Sequence, residues 1–438
     1  MSVLQSIPAI LRVLFVFILV LIALRKRMSL GHAFLLGAVS LGLIFGLNSA
    51  AILHSMLSSV IHPKTVSLAL IVSLILVLSH SMELSGQMQR LLAGFQGLII
   101  SPRLNIIIFP PLIGLLPMPG GAIFSAPMVK TLGERLKLSG DQLSFINYWF
   151  RHIWEYWWPF YPGVLLTVTL ASLNLWGYIP FLFPLTLVAI GSGYWLLKGF
   201  GIKTYDRKNN SGKHNRPPIG PFIEELEPIL IVILLGFGIG FLFSLIFPPN
   251  GLFMAVSKEA GLIVALLIAI GRVWHKNGLS RDKIWKVLSN RQLLSMVYMV
   301  ISILIFKGIL EHSHAVKAMS NELIHWHIPL MLIIMVLPFF VGWVVGITIA
   351  FVGATFPILI ALVQSFGEGD FMLAYIMLGF ASGYVGVLLS PMHLCLLLSN
   401  EYFGAKIGRV YRYLWLPCAF ILGFSMVYFW LLHWVWLA

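Results

Sequence analysis

The stretch Leu115 to Pro127, reading LLPMPGGAIFSAP, lies inside an apolar segment of membrane scale, yet it holds Pro117, Pro119, Pro127 and the pair Gly120-Gly121. A helix in lipid satisfies its own backbone, and proline and glycine interrupt that ladder. Broken backbone at membrane depth persists only where protein buries it or where it lines a wet cavity. The break also bares helix-end N–H groups, a ready site for a carboxylate or an ion. A chain with this feature has to build polar protein inside the bilayer.

The remaining sequence agrees. Of 438 residues, 59% are hydrophobic and 10% charged, and the mean hydropathy is +0.94, whereas a soluble protein carries about 25% charged residues. The expected class is an all-α polytopic membrane protein. The net charge of +14 comes from Lys and Arg scattered over short loops between apolar spans, which reads as topology determination and not as nucleic-acid binding. Ile7 to Leu24 is followed by Arg25-Lys26-Arg27 with no small-residue cleavage site, so it reads as a retained first helix. Cys395 and Cys418 fall in apolar stretches and point to neither a disulfide nor a metal site.

The positive-inside rule sets the topology. The first span leaves the N-terminus outside. Spans follow at about 30–47 and 66–82, joined by a short, nearly uncharged connector to Lys64. Leu104 to Val129 is flanked by Arg103 on one side and by Lys130, Arg135 and Lys137 on the other, so it reads as a re-entrant hairpin. Residues 141–176, interrupted at Pro159 to Pro162, read as a discontinuous crossing, and Tyr178 to Leu197 returns inside. The basic stretch 198–227 is a cytoplasmic linker that separates a first repeat, 1–197, from a second, 228–438.

The second half follows the same plan. It has spans at about 228–247, 260–270 and 293–306, and a hairpin at about 329–363 with external flanks. A discontinuous crossing at about 371–399, broken near Ser390-Pro391, precedes a last span that leaves the C-terminus outside. All but six of the 29 Lys and Arg then lie in cytoplasmic loops. Each repeat has five crossings, one of them discontinuous, and one hairpin, so the second is inverted relative to the first. Asp141 precedes Pro162 by 21 residues, as Asp370 precedes Pro391, and this weak internal match fits an inverted repeat.

The blocks PLIGLLPMPGGAIFSAPMV, RHIWEYWWPFYPG and GFASGYVGVLLSPMHLC resemble a prokaryotic membrane family catalogued as domain of unknown function 401. The resemblance covers nearly the whole chain. That family is in turn distantly similar to the gluconate and citrate permeases of the ion transporter superfamily. The resemblance implies two inverted halves, dimerisation through a scaffold domain and an elevator-type movement of a transport domain. The Ser-Asn-Thr signature of the dicarboxylate branch is absent, so that branch's sodium and carboxylate ligands do not carry over.

Pro119, Gly120, Gly121 and Ser125 in the first hairpin, and Gly346, Thr348 and Thr355 in the second, offer close backbone approach, hydroxyls and helix-end dipoles. The plainer reading is that these are kinks and small-residue packing contacts. Arg151, His152 and Glu155 fall on the half-helix leading to Pro159, and ionisable residues at such depth are functional candidates by default. Arg151 would hold a substrate carboxylate while His152 or Glu155 takes a coupling proton. Otherwise Arg151 and Glu155 form a closed i,i+4 ion pair, or an interfacial helix is anchored by Trp149, Trp154, Trp157 and Trp158. Ser390 and His393 occupy the corresponding break of the second half. The pairs His312/His314 and His325/His327 are weak metal motifs.

No GxxxxGK[ST] loop, HExxH or GxSG is present. The expected function is a secondary active transporter of a small organic anion such as a carboxylate, coupled to sodium or protons. Alternatives are a channel and a membrane-embedded enzyme acting on a lipid-linked substrate. The expected setting is the inner membrane, as a homodimer, with no cofactor beyond a coupling ion and no nucleic-acid partner.

Overall fold

The structure is a computed structural model that describes residues 6–99, 101–118, 120–201, 217–246 and 252–437. Pro119, the centre of the 198–227 linker and the Pro248 to Gly251 turn lie outside the described residues. The described residues form helices and turns without any strand. Seven helical stretches among them are long and apolar enough to cross a membrane, from Pro63–Leu84 to Ile407–Trp434. Several begin where a polar side chain caps the first turn: His62 Nδ1 accepts from the Lys64 N–H, and Asn174 Oδ1 accepts from the Trp176 N–H.

The helices sort into an inner and an outer set. Gly369–Leu388 is 89% buried and Thr348–Ser365 78%, whereas Gly220–Leu242 is 28% buried. The outer helices turn Phe15, Ile18, Leu234, Phe237 and Trp430 outward, where lipid meets them. The hydrophobic effect cannot drive one apolar helix against another in lipid, so the centre relies on close packing and on internal hydrogen bonds.

Four breaks organise that centre. Residues 115–121 separate Pro102–Gly114 from Ala122–Arg135, and residues 152–161 separate Gly140–Arg151 from Pro162–Leu170. In the second half, Gly346 and Ile347 separate Leu330–Val345 from Thr348–Ser365. Residues 389–393 separate Met372–Leu388 from Leu394–Phe403.

Several expectations need correction here. Helix Gly140–Arg151 stops at Arg151, so His152 and Glu155 lie in the break and not on the half-helix before it. Its N-cap is Ser139, which forms a capping box with Gln142, and Asp141 in the first turn accepts from the Lys406 N–H at 3.0 Å. The second hairpin's break is only two residues wide. Thr355 therefore sits mid-helix, and its hydroxyl donates to the Phe351 carbonyl one turn back at 2.8 Å. The connector before Lys64 also folds, as helix Ser49–Ile61.

Aromatic donors make the breaks tolerable. The end of Pro102–Gly114 frees carbonyls that no later turn can use. Trp154 Nε1 donates to Pro111 O at 3.0 Å, Tyr161 Oη to Gly114 O at 2.6 Å and Trp158 Nε1 to Leu115 O at 2.8 Å. In the 152–161 break, His152 O accepts from Tyr384 Oη at 2.9 Å, Ile153 O from Thr186 Oγ1 at 2.5 Å and Tyr156 O from Tyr178 Oη at 3.2 Å. In the last break, Leu388 O accepts from Tyr148 Oη at 3.0 Å and Leu389 O from Tyr411 Oη at 3.1 Å.

The cluster WEYWWPFYP therefore supplies donors to unwound backbone and is not an interfacial belt. Trp149 and Trp157 also donate within the protein, to Ala189 O inside a helix and to the Thr186 hydroxyl. Tyr161→Phe and Trp158→Phe should each lower thermal stability by about 1–3 kcal/mol, the cost of a buried carbonyl left bare. Melting curves of the purified variants that overlay the wild type would show those carbonyls to be satisfied in another way.

Candidate functional site

The second and fourth breaks face each other across the two halves. His152 Nε2 and His393 Nε2 are 3.1 Å apart, and Tyr148 reaches from helix Gly140–Arg151 to the end of Met372–Leu388. The third break joins them: Thr348, first residue of its helix, donates to Glu155 Oε2 at 3.2 Å. That carboxylate thus lies at a helix N-terminus, where bare N–H groups favour negative charge. The first break closes the ring, with Arg151 Nη2 donating to Met118 O at 2.8 Å.

Glycines let these pieces approach. Gly120 has φ +72°, and a Cβ on Gly121 would stand 2.5 Å from Arg151 Nη2. Gly346 has φ +68°, and a Cβ there would meet Ser390 Oγ at 2.8 Å and the His393 backbone N at 3.0 Å. Only glycine fits positions that combine a left-handed turn with such contacts. Ser390 Oγ in turn accepts from the Met392 N–H at 3.2 Å, holding the fourth break's turn.

The ionisable groups are deeply enclosed: Arg151 and His152 are 2% exposed, Glu155 and His393 8%. Arg151 and Glu155 do not form the i,i+4 ion pair expected on a continuous helix, because the helix ends between them. Glu155 Oε1 stands instead 3.7 Å from His152 Nε2. Arg151 Nε and Nη1 have no hydrogen-bond partner, nor do His393 Nδ1 and Tyr156 Oη. Buried polar groups are normally paired, so orphans gathered in one place call for an explanation, a bound solute or ion among them.

Of the residues singled out from sequence, Gly120, Gly121, Arg151, His152, Glu155, Gly346, Thr348, Ser390 and His393 come together here. Thr355 does not, and Ser125 has a different task. Its Oγ donates to Asn147 Oδ1 at 2.6 Å, and Asn147 Nδ2 donates to Ser399 Oγ at 2.9 Å. Ser144 Oγ donates to Asn400 Oδ1 at 2.6 Å beside them. This polar seam ties the first hairpin and first broken helix to Leu394–Phe403 and holds the two halves in register.

Cys395 was missed. It lies one residue into the helix after His393, and its Sγ, with the His152 and His393 ring nitrogens, forms a group whose donor atoms all lie within 4.8 Å. The spacing His393-x-Cys395 was the available signal, too weak to use without His152 opposite. Among the described residues, the paired histidines His312/His314 and His325/His327 enter no such group. His312 Nδ1 is engaged by Ser55 Oγ and Gly308 O, both at 3.0 Å.

A cleft of about 280 Å³ lies elsewhere, bordered by Lys64, Leu165, Ser172 and Glu259. Its charges are held by hydroxyls: Lys64 Nζ donates to Ser172 Oγ at 2.9 Å, and Glu259 accepts from Ser67 Oγ. Among the described residues, none of those lining this cleft has an unpaired buried polar side-chain atom, whereas Arg151, Tyr156 and His393 at the breaks do.

A bundle of membrane-length helices wrapped round broken backbone and buried charge is a polytopic helical membrane protein with a polar centre inside the bilayer. The chain matches the family described as "Protein of unknown function (DUF401)" over residues 7–435, nearly its whole length, and it belongs to that family. No curated protein matches the sequence.

Proposed function

We propose that this protein is a secondary active transporter of a small organic anion, a carboxylate by class, driven by a sodium or proton gradient across the inner membrane. One observation carries the reading. Arg151 is a buried guanidinium with two nitrogens unbonded and no carboxylate within ion-pair distance, placed where broken helices of both halves meet. A buried unpaired cation is costly, and a planar carboxylate matches its fork. Binding at helix breaks between two repeats is how many transporters hold substrate near the bilayer midplane.

The same proposal takes 1–197 and 228–438 as inverted repeats, and an elevator-type homodimer as the working unit. In support, each half carries a two-helix hairpin followed by a broken crossing, in the same order. The groups round Arg151 are packed closed, as an occluded state requires.

The test is the thermal stability of the detergent-purified protein against small carboxylates, amino acids, sugars and inorganic anions, with and without sodium and at two pH values. A ligand at 100 times its dissociation constant stabilises by about 2.7 kcal/mol. Carboxylates are expected to give this shift and sugars none. Gly121→Ala should fold, because the atom its Cβ meets is the far end of a side chain, yet it should lose the shift as the guanidinium is pushed aside. A wild-type response in Gly121→Ala, or selective stabilisation by an uncharged solute, would remove the anion site from these residues.

A further inference from the structure

We propose that His152, His393 and Cys395 form a binding site for a soft divalent transition-metal ion of the zinc class. The inference does not rest on the transport reading.

The donor set comes first. Imidazole nitrogen and cysteine sulfur are the ligands that zinc, and cobalt in its place, select over oxygen donors, and structural and catalytic zinc sites use these types in combination. Here two imidazoles and one thiol, contributed by both halves of the chain, have donor atoms within 4.8 Å of one another. Apolar packing brings helices together but does not by itself bring three such side chains head to head. Cys418, also buried but in another helix, enters no such group among the described residues.

The geometry comes second. Two nitrogens bound to a tetrahedral zinc at about 2.0–2.1 Å stand about 3.3–3.4 Å apart, and a nitrogen and a sulfur about 3.6 Å. His152 Nε2 and His393 Nε2 are 3.1 Å apart, so bringing an ion between them moves each ring by a few tenths of an ångström, and the Cys395 Sγ, within 4.8 Å of both, has to close by about 1 Å at most. A further oxygen donor, Glu155 Oε1, stands 3.7 Å from His152 Nε2.

The tautomer is the third point. His152 Nδ1 lies 2.6 Å from the Tyr148 carbonyl, which accepts only, so Nδ1 carries the proton. The Nε2 lone pair then points at His393. Metal-bound histidines are commonly held in this way, with the far N–H donated to a backbone carbonyl. Tyr148 Oη is fixed by Leu388 O, and the break between His152 and Tyr161 gives the ring its backbone freedom to face across the halves.

The experiment is a titration of the detergent-purified, folded protein with cobalt(II) chloride, followed in the near ultraviolet for the thiolate-to-cobalt charge-transfer band, with zinc chloride as competitor. One equivalent of cobalt should bind, with the band, and one equivalent of zinc should remove it. The chain has two cysteines, so Cys418→Ser should keep the band and Cys395→Ser should lose it. His393→Gln should weaken cobalt binding at least tenfold. Absence of the band in folded wild-type protein would overturn the site, as would its loss in Cys418→Ser. If Cys395→Ser fails to fold, the Cys418→Ser spectrum alone makes the assignment. No anion or transport measurement enters, so failure here leaves the anion site standing, and the converse.

Discussion

Replacing Arg151 by methionine is expected to abolish carboxylate-dependent stabilisation and to cut proteoliposome uptake at least 100-fold, while the ligand-free protein still folds. The guanidinium donates to Met118 O, lies beside the Cys395 thiol, and leaves Nε and Nη1 unpartnered in a site 2% exposed. Losing that bond costs about 1 kcal/mol, and removing a buried charge without a carboxylate partner offsets part of it. The stability of the empty protein should therefore change little, while the stabilisation of about 2.7 kcal/mol at 100 times the dissociation constant disappears. Arg151→Lys should recover only part of it, because an ammonium lacks the planar fork. If Arg151 served only packing, the opposite pattern would follow: a collapsed melting temperature in the empty variant, with the ligand response retained in what survives.

The largest structural effects should come from two glycines of the second half. A Cβ on Gly342 would land on the Gly383 carbonyl oxygen, and one on Gly386 would land on that of Phe339. Helices Leu330–Val345 and Met372–Leu388 thus cross backbone on backbone, the small-residue contact on which helix association in lipid depends. Neither obstacle is a flexible side chain, so Gly342→Ala or Gly386→Ala has to push two helices apart. Each should cost about 1–3 kcal/mol or more, seen as loss of the monodisperse peak on size exclusion after mild heating. Gly423→Ala, with open space round its position on the outer helix Ile407–Leu437, is the control and should be neutral. Equal melting of all three variants would mean that the crossing relaxes freely.

Helical breaks show what each level of description contributed. Proline and glycine within apolar runs mark interrupted membrane helices because nothing in lipid replaces the lost hydrogen bonds. That rule, applied to residues 115–121 and 389–393, located two breaks that the folded chain has. It misplaced the start of a third, since Arg151 ends its helix with no proline nearby. What stops the helix there is the set of carbonyl partners offered by Tyr384, Thr186 and Tyr178 from distant elements. No local pattern contains them.

The site divides in the same way. Arg151, His152, Glu155 and His393 were legible because an ionisable residue in an apolar segment is costly and stands out. Cys395 was not, because a cysteine among leucines reads as a small hydrophobe, and its chemistry depends on His152, 243 positions away. The ion pair expected between Arg151 and Glu155 rested on helical spacing and vanished when the helix ended between them. The sequence by itself determined the membrane class, the helical content and the presence of charge within apolar segments, since lipid imposes its demands on every segment separately. Which of those charges meet, and which stay unpaired, only the tertiary structure decided, because that depends on how two halves of the chain pack their breaks against each other.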